Sequence, residues 1–314
     1  CAGDNMLMTP AGPIETTTEL NVIDTTKLPK YPVFRLLTPD GVLLDGVPEP
    51  ELDQELAVQM YKGMVRVQVF DDIMYHAQRQ GRVSFYMQAT GEEAIHIGSA
   101  SMLSPADMVF SQYREQGVLL WRGFTIQQAM DQCFSNGADL GKGRQMPVHY
   151  GCKELNFQTI SSPLATQLPQ AVGAAYAYKL SKEDAVAVCF FGEGAASEGD
   201  FHAALNFSGT LEVPIVFFVR NNGYAISTPS HEQFRGDGIA SRAAGYGMHA
   251  IRVDGNDLLA VRAATAEARR IAHEQSRPVL VEAMSYRAGH HSTSDDSTRY
   301  RSVDEINHWQ DQLE

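Results

Sequence analysis

The sequence lacks any long apolar run: no stretch of its 314 residues approaches the roughly 18–20 residues that a membrane-spanning helix needs. It is also poor in positive charge, with 25 Lys and Arg residues against 38 Asp and Glu residues and a net charge of −13. No block of Lys or Arg occurs, and a nucleic-acid surface needs such residues to neutralise phosphates. The sequence therefore predicts no membrane anchor and no nucleic-acid partner.

Cysteine is scarce: the chain has four, Cys1, Cys133, Cys152 and Cys189, without any CxxC spacing. Scattered thiols fit a reducing compartment better than a disulfide framework. No signal peptide is visible, and the chain begins at Cys1 rather than Met, so we expect that an N-terminal segment has been removed. The helix-like end SVDEINHWQDQLE stops without a cap or a breaker, so we also expect the natural chain to continue.

What the sequence does have is an alternation of helical and strand patterns in its second half. AVAVCFF is apolar at every position, as in strands buried on both faces, and VPIVFFVR is a second such strand. Helical patterns lie between and after them, in SEGDFHAALNFSGTLE and DLLAVRAATAEARRIAHEQ. This alternation predicts an α/β fold with a doubly wound, mostly parallel sheet flanked by helices. Residues 1–50, rich in Thr, Pro and Gly, are expected to form an extended N-terminal arm, and residues 51–314 a single domain.

A lone carboxylate stands where one buried strand ends, in the sequence Gly192-Glu193-Gly194, and Asn221-Asn222 ends the next strand. Ligands of an open parallel sheet bind outside the carboxyl ends of its strands. A helix follows the glycines, so its first amides can face an anion. Carboxylate and amide oxygens suit Mg²⁺, which shares its coordination sphere with phosphates. The pattern therefore predicts a divalent cation that holds a diphosphate.

Other interpretations of the glycines are a Rossmann phosphate loop or a purely structural turn. GEGAAS lacks the third glycine of the Rossmann motif, and Asn222 stands where that motif needs an acid. Two further motifs are decoys. RGDGIA, around Asp237, follows no buried strand, and GADLGKGRQ has Gly143 where a P-loop needs Ser or Thr.

From about Tyr31 to Trp309 the sequence resembles the alpha subunits of the branched-chain 2-oxoacid dehydrogenases, the decarboxylating components of a multienzyme complex. The glycine-flanked acid, followed after the 26 residues 195–220 by Asn-Asn, is similar to the thiamine diphosphate motif. One departure is Glu193 where the general motif has Asp. The other stretches that carry the resemblance are GRVSFYM, QYREQGVLL, LGKGRQMPVHYG, ISSPLATQLPQAVGAAYA, RNNGYAIST, RVDGNDLLAV and YRAGHHSTSDDSTRYRSVDE.

The resemblance implies a set of ligands for thiamine diphosphate and its metal ions. Mg²⁺ would be bound by Glu193, Asn222 and the backbone carbonyl of Tyr224. The diphosphate would be held by Gln112, Tyr113, Arg114, Arg220, His291 and the amides near Gly194 and Ala195. K⁺ would be bound by Ser161, Pro163, Thr166 and Gln167, with Ser162 and Leu164 beside the cofactor. Arginine offers fork-like donors to phosphate, although SQYREQ alone would predict a solvated arginine and SSPLATQ alone a helix N-cap.

A polar loop near the C-terminus carries two adjacent histidines, His290 and His291. Adjacent residues in an extended chain point in opposite directions, so they are not expected to chelate one metal. A histidine over a cofactor can donate or shuttle protons near neutral pH, and the resemblance implies that His291 assists transfer to the lipoyl group. It also implies inhibitory phosphorylation at Ser292, where a phosphate adds charge and bulk, and at Ser302.

The implied reaction is oxidative decarboxylation of a branched-chain 2-oxo acid, with transfer of the acyl group to a lipoyl arm. The implied partners are a beta subunit in an alpha2-beta2 heterotetramer, which supplies the cofactor-activating glutamate, a lipoyl-bearing acyltransferase core, and a regulatory kinase and phosphatase. The implied location is the mitochondrial matrix, or the cytoplasm if the source is bacterial. Phe85, Tyr113 and Leu164 are expected to line the substrate pocket, although Phe85 also suits core packing. The alternatives are a pyruvate-type enzyme and a non-catalytic regulatory paralogue.

Overall fold

The computed structural model of the chain describes residues 5–313. Its strands are β1 Met6–Thr9, β2 Gly12–Glu15, β3 Met108–Phe110, β4 Ala187–Gly192, β5 Ile215–Asn221, β6 Tyr224–Ala225, β7 Thr228–Pro229, β8 His249–Asp254 and β9 Val279–Met284. Its α-helices are α1 Gln54–Arg79, α2 Glu93–Ala100, α3 Gln116–Trp121, α4 Ile126–Cys133, α5 Gln167–Ser181, α6 Gly199–Leu211, α7 Ser230–Gln233, α8 Leu258–Gln275 and α9 Val303–Leu313.

Several helices begin where the sequence offers capping side chains. Asp53 caps α1 by accepting a hydrogen bond from the amide of Leu56, at 2.7 Å. Thr125 and Gln128 form a reciprocal capping box at the start of α4. A capping side chain satisfies an amide that has no partner within the helix, and such a cap contributes about 1 kcal/mol. Local sequence therefore determines these helix starts.

The central sheet has five parallel strands in the order β3-β4-β5-β9-β8. All residues of β5 are buried, and β4 is buried except at its last residue. Alternate residues of β4 pack on opposite faces: Val188 and Phe190 belong to one hydrophobic cluster, and Cys189 and Phe191 to the other. Burial on both faces is the reason that these strands have no polar alternation. The predicted doubly wound, mostly parallel α/β fold is confirmed.

The described chain divides into two compact units between Lys30 and Tyr31. In the first unit, residues 6–15 form an antiparallel hairpin, so this part of the predicted extended arm has regular structure. In the second unit, residues 34–37 are held by the main domain: the amide of Phe34 donates to the carbonyl of Arg252, at 2.8 Å. The amides of Leu36 and Leu37 both donate to Oδ2 of Asp257. The predicted division at residue 50 stays a prediction.

The cysteines of residues 5–313 form no disulfide. Cys133, Cys152 and Cys189 are buried free thiols, whereas Cys1 lies outside the described residues. Within the described part of the chain, no helix combines the length and the apolarity that a membrane crossing requires.

Candidate functional site

A cleft of about 400 Å³ opens at the carboxyl ends of β4 and β5. It lies where an open parallel sheet is expected to bind its ligands. Most of the residues predicted to hold the cofactor and Mg²⁺ line it together, although they come from distant parts of the sequence. The predicted residues among the lining are Gln112, Tyr113, Arg114, Leu164, Glu193, Gly194, Ala195, Arg220, Asn222, Tyr224 and His291.

Glu193 follows β4 directly, and its carboxylate is buried in the wall of the cleft. Among the residues that the structure describes, Oε1 of Glu193 has no hydrogen-bond partner. Burial raises the pKa of this carboxyl, against the smaller opposing effects of backbone hydrogen bonds and Arg220. A buried carboxylate oxygen without a partner is costly, and a cation is the group that would satisfy it.

The glycine after this carboxylate is required by close packing. A Cβ atom on Gly194 would lie 2.8 Å from the Cβ of Ala225, which is closer than non-bonded carbon atoms approach each other. Gly194 therefore brings the end of β4 against the segment after β5, and both segments border the cleft.

Asn222 is buried one residue beyond β5 and lines the same cleft. Its Nδ2 donates to Oε1 of Glu92, at 2.7 Å, and its Oδ1 accepts a hydrogen bond from the amide of Tyr224, at 3.3 Å. Gly223, with a φ of +84°, makes the tight turn between Asn222 and Tyr224. Since a carbonyl oxygen has two lone pairs, Oδ1 of Asn222 keeps one acceptor site for a ligand.

Arg220, the last but one residue of β5, is buried between two carboxylates. Its Nη1 lies 2.7 Å from Oε2 of Glu92, and its Nε donates to Glu115. Burial by itself would lower the pKa of the Arg220 guanidinium. The negative charges of Glu115 and Glu92 outweigh this effect of burial, so the pKa is raised. Burial likewise opposes ionisation of Glu92, yet Arg220, Arg114 and the bond from Asn222 bring its pKa down to about 2. Arg220 is therefore largely compensated by protein carboxylates.

The loop after β3 brings Gln112, Tyr113 and Arg114 to the cleft. Oε2 of Glu115 accepts from the amide of Gln112, at 2.7 Å, and Oε1 of Gln112 accepts from the amide of Gly192, at 2.8 Å. Arg114 is buried and donates to the carbonyls of Gln88 and His291.

A further cation of the cleft, Arg287, donates to the Tyr300 hydroxyl at 2.9 Å. Within residues 5–313, neither Arg114 nor Arg287 forms an ion pair with a carboxylate. Burial and then Arg114 lower the pKa of Arg287, as expected for two like charges in one cleft. Both guanidinium groups can therefore accept an anionic ligand.

His291 lines the cleft, with its ring edge-on to Tyr113 at a centroid distance of 5.9 Å. Burial, followed by the charges of Arg114 and Arg287, lowers its pKa to about 3, so the imidazole is neutral near pH 7. His290 instead holds the loop together, because its Nδ1 contacts the hydroxyl and the amide of Ser297, at 2.9 and 3.0 Å. The two histidines thus have separate partners, and no group of three metal-binding side chains of the His, Cys, Asp or Glu type occurs in the described chain.

The two serines predicted as phosphorylation sites differ in access. Ser292 is buried, and the next residue, Thr293, is bonded twice to the backbone of Tyr86, at 3.0 and 3.1 Å. Ser302 is exposed and accepts from the amide of Glu305 at the start of α9, at 3.1 Å. Ser302 is therefore accessible on the folded surface, whereas access to Ser292 requires the loop to open.

The segment predicted to hold K⁺ precedes α5. Thr166 of SSPLATQ occupies the N-cap position of α5, as the alternative interpretation predicted, but in the described chain its side chain makes no cap hydrogen bond. Gln167 is buried and donates through Nε2 to the carbonyl of Phe190, at 3.0 Å, which leaves its Oε1 as an acceptor. Ala165, with a φ of +66°, turns the backbone in a conformation that is unusual for a residue with a side chain. Ser161 and Pro163 precede this turn directly.

Of the residues predicted to border the cofactor or the substrate, two are not among those that line the cleft in the described chain. Phe85 is half-buried and packs on the main hydrophobic cluster, which was its alternative interpretation. The hydroxyl of Ser162 lies 2.8 Å from Nε2 of His149.

Three charged residues of the site, Glu92, Glu115 and Arg287, were not predicted from the sequence. The paired acids of GEEA were the available signal for Glu92, but nothing local showed that it meets β5. Their roles depend on contacts with residues far away in the chain.

In the two motifs that only resemble ligand sites, contacts within the protein take the place of a ligand. The carboxylate of Asp139 accepts from the amides of Gly141 and Gly143, at 3.0 and 2.7 Å, where a P-loop would bind phosphate. Asp237 pairs with Arg252, at 3.0 Å. The GADLGKGRQ and RGDGIA segments are therefore structural.

The fold and the cleft define a parallel α/β enzyme that offers oxygen ligands and guanidinium groups to a phosphorylated cofactor. The family model for the dehydrogenase E1 component matches residues 61–314. The chain belongs to the dehydrogenase E1 component family, which depends on thiamine diphosphate.

Several relatives are 2-oxoisovalerate dehydrogenase alpha subunits of mitochondria. The Caenorhabditis elegans protein is 58% identical over 296 residues, which is 94% of this chain and 68% of that protein. The Homo sapiens protein is 56% identical over 303 residues, 96% of this chain and 68% of that protein. The Mus musculus protein is 55% identical over 303 residues, 96% of this chain and 69% of that protein. The predicted resemblance to the branched-chain enzymes is confirmed.

Proposed function

We propose that this chain is the alpha subunit of an enzyme that decarboxylates branched-chain 2-oxo acids with thiamine diphosphate and passes the acyl group to a lipoyl arm. The observation that carries the proposal is the unpartnered oxygen of Glu193 beside Asn222, in a cleft lined by arginines. A regulatory paralogue has no need of a buried carboxylate without a partner, which costs stability.

The residues of the cleft fit Mg²⁺ and a diphosphate. Glu193 would bind Mg²⁺ through Oε1, Asn222 through Oδ1 and Tyr224 through its backbone carbonyl, which matches the preference of Mg²⁺ for oxygen ligands. Arg114 and Arg287 would bind the diphosphate, because neither is compensated by a carboxylate in the described chain. Gln112 and the amides of Gly194 and Ala195 would complete that set.

The turn before α5 would bind K⁺. Thr166 makes no cap hydrogen bond in the described chain, and Oε1 of Gln167 is not used by the bond that its Nε2 donates. Together with the carbonyls of Ser161 and Pro163 these are neutral oxygens, which suit a monovalent cation. The bound ion would stabilise the strained conformation of Ala165.

Thiamine diphosphate, when bound, supplies the electron sink for loss of CO₂. The chain's own residues position and shield it. His291, neutral near pH 7, can accept a proton at the cleft or donate a hydrogen bond to the acyl group. Tyr113 and Leu164 present apolar surface to a branched substrate, whereas Phe85 belongs to the core.

The proposed assembly requires a beta subunit. Activation of the cofactor needs a glutamate, and Glu193 is already used as a metal ligand in the described cleft. The beta subunit would therefore supply a further glutamate. We propose an alpha2-beta2 heterotetramer on a lipoyl-bearing acyltransferase core. The relatives are named mitochondrial, which supports a mitochondrial location.

Regulation by a kinase and a phosphatase would act on the loop that carries His291. A phosphate on Ser292 adds nearly two negative charges inside a packed loop, so it would expel the loop from the cleft. A phosphate on Ser302 would lie at the start of α9, where helix amides favour an anion. The loop should therefore respond more strongly to modification of Ser292.

The test is turnover of the chain assembled with its beta subunit, with thiamine diphosphate, Mg²⁺, K⁺ and a dye as electron acceptor. We expect 3-methyl-2-oxobutanoate to be preferred over pyruvate. Glu193→Ala should lower kcat by at least about 100-fold, since a metal ligand contributes several kcal/mol. Glu183→Ala is the matched control, because that exposed residue precedes the other end of β4.

Each of the other possible outcomes would contradict a different part of the proposal. A preference for pyruvate would retain the cofactor and reject the substrate class. Turnover that persists at the wild-type level in Glu193→Ala would reject the proposed metal site. Absence of turnover in a correctly assembled wild-type enzyme would favour the regulatory paralogue.

A further inference from the structure

Glu92 is the residue before α2, and it is fully buried against the end of β5. It does not cap its own helix by a side-chain hydrogen bond. Instead, each of its two carboxylate oxygens accepts a hydrogen bond from a different residue at the end of β5. Oε1 accepts from Nδ2 of Asn222, at 2.7 Å, and Oε2 accepts from Nη1 of Arg220, at 2.7 Å. Neither contact is needed to form α2.

The contact with Asn222 determines which way the amide group faces. An ionised carboxylate can only accept hydrogen bonds, so the NH₂ group of Asn222 must be on the side of Glu92. The carbonyl oxygen of the same amide is then directed away from Glu92 and stays available as a ligand. A rotation of the amide by 180° would bring two acceptor oxygens together and would present hydrogen atoms to a cation.

Glu92 is itself held in place by an ion pair. Arg220 joins Glu92 to Glu115, and Glu115 also accepts from the amide of Gln112, at 2.7 Å. A guanidinium fixes the position of a carboxylate more strictly than a neutral donor does. The start of α2 and the end of β5 are therefore locked together around the amide of Asn222.

We propose that Glu92 is a positioning residue for Mg²⁺: it fixes the amide of Asn222 so that Oδ1 faces the metal ion. The inference rests on the proposed function, because Asn222 must be a ligand of Mg²⁺. Glu92 would act through Asn222 without touching the metal. Residues behind a metal ligand typically change metal affinity by about 10- to 100-fold when they are replaced.

The experiment measures the affinity of the assembled enzyme for Mn²⁺, as a probe of the Mg²⁺ site, by electron paramagnetic resonance with thiamine diphosphate present. Glu92→Gln should weaken Mn²⁺ binding by about 10- to 100-fold, since Gln can turn either an oxygen or a nitrogen towards Asn222. Glu115→Gln is the comparison variant: it also removes one carboxylate from Arg220 but does not contact Asn222. Because Glu115 holds Arg220 and Gln112, this variant should weaken Mn²⁺ binding, but by less than Glu92→Gln does.

A double substitution tests the direction of the hydrogen bond. In Glu92→Gln with Asn222→Asp, the new amide can donate to the new carboxylate, so the bond is restored with reversed polarity. We expect Glu92→Gln to strengthen Mn²⁺ binding in the Asn222→Asp background, although it weakens Mn²⁺ binding in the wild-type background. The melting temperature of each variant reports whether it has folded, and Glu92→Asp serves as a second single variant.

The outcomes separate the two proposals. If the wild-type assembly does not bind Mn²⁺, the proposed function fails. If the wild type binds it and Glu92→Gln binds it equally well, the positioning role of Glu92 is overturned. Equal losses in Glu92→Gln and Glu115→Gln would also overturn it, because the cause would then be the charge of Arg220. Failure of the double variant to recover affinity would reject the proposed orientation of the amide.

Discussion

At the residue scale, Glu282 shows how much one buried carboxylate can connect. It lies in β9 with no exposed surface. Its oxygens accept from Nδ2 of Asn221, from the amides of Ile239 and Ala240, and from Nε of Arg252, at 2.8–2.9 Å. Four donors offset the cost of removing one charge from water. In the sequence it is only a lone acid within the apolar strand PVLVEAMSY.

We expect Glu282→Gln to lower the free energy of unfolding by about 3–5 kcal/mol, because it leaves Arg252 partly uncompensated and replaces an acceptor oxygen by a donor. Urea denaturation of the purified protein measures this change. The control is Glu274→Gln, which breaks an exposed ion pair with Arg270 and should cost less than about 1 kcal/mol. Equal losses in the two variants would contradict this explanation.

At the scale of elements, α2 and α8 pack closely through a glycine. A Cβ atom on Gly98 would lie 2.9 Å from Cγ1 of Val261 and 3.0 Å from the carbonyl oxygen of Leu258. The backbone carbonyl cannot move aside, so α2 can approach α8 only without a side chain at this position. This contact holds α2, and with it Glu92, close to α8.

We expect Gly98→Ala to destabilise the protein by about 1–3 kcal/mol through overpacking, although alanine is the better helix former. Gly173→Ala in α5 is the control: its Cβ would meet nothing within 4 Å, so it should stabilise the protein by up to about 1 kcal/mol. Thermal unfolding of both variants measures the difference. A stabilising Gly98→Ala would show that the two helices can separate at little cost.

At the scale of the whole molecule, the proposed Mg²⁺ site lowers the stability of the metal-free protein. Burial raises the pKa of Glu193 above its ordinary value of 4.5. At a pH between 4.5, the pKa of Glu193 in the unfolded chain, and its raised pKa in the folded protein, the folded protein binds more protons at this residue than the unfolded chain does. Stability must therefore fall as the pH rises from about 4.5 through the raised pKa.

We expect Glu193→Gln to raise the melting temperature of the metal-free protein at pH 7, by roughly 2–4 °C for each kcal/mol gained. The gain should shrink as the pH is lowered through the raised pKa, because Glu193 then becomes protonated. Calorimetry with EDTA at pH 7 and at a series of lower pH values measures it, with Glu183→Gln as the exposed control. Added Mg²⁺ and thiamine diphosphate should raise the melting temperature of the wild type only. A lower melting temperature for Glu193→Gln would contradict this interpretation.

The sequence by itself determined the strands and helices. Apolar runs predicted β4 and β5, a capping residue marks the start of α1, and the lone acid after β4 marked the strand end that carries Glu193. These features depend on neighbours along the chain, and hydrophobic periodicity and caps are local properties. The family resemblance added Arg114 and His291, which no local pattern distinguishes from surface residues.

Only the tertiary structure decided which residues meet at the cleft. Glu92 and Asn222 are separated by 130 positions and lie 2.7 Å apart. Phe85, expected at the substrate, packs on the core instead. Ser292, in a segment whose polar sequence predicts a surface loop, is buried because the next residue is bonded to Tyr86. Burial and the pairing of charges depend on contacts between distant segments, and a single sequence records neither their distance nor their solvation.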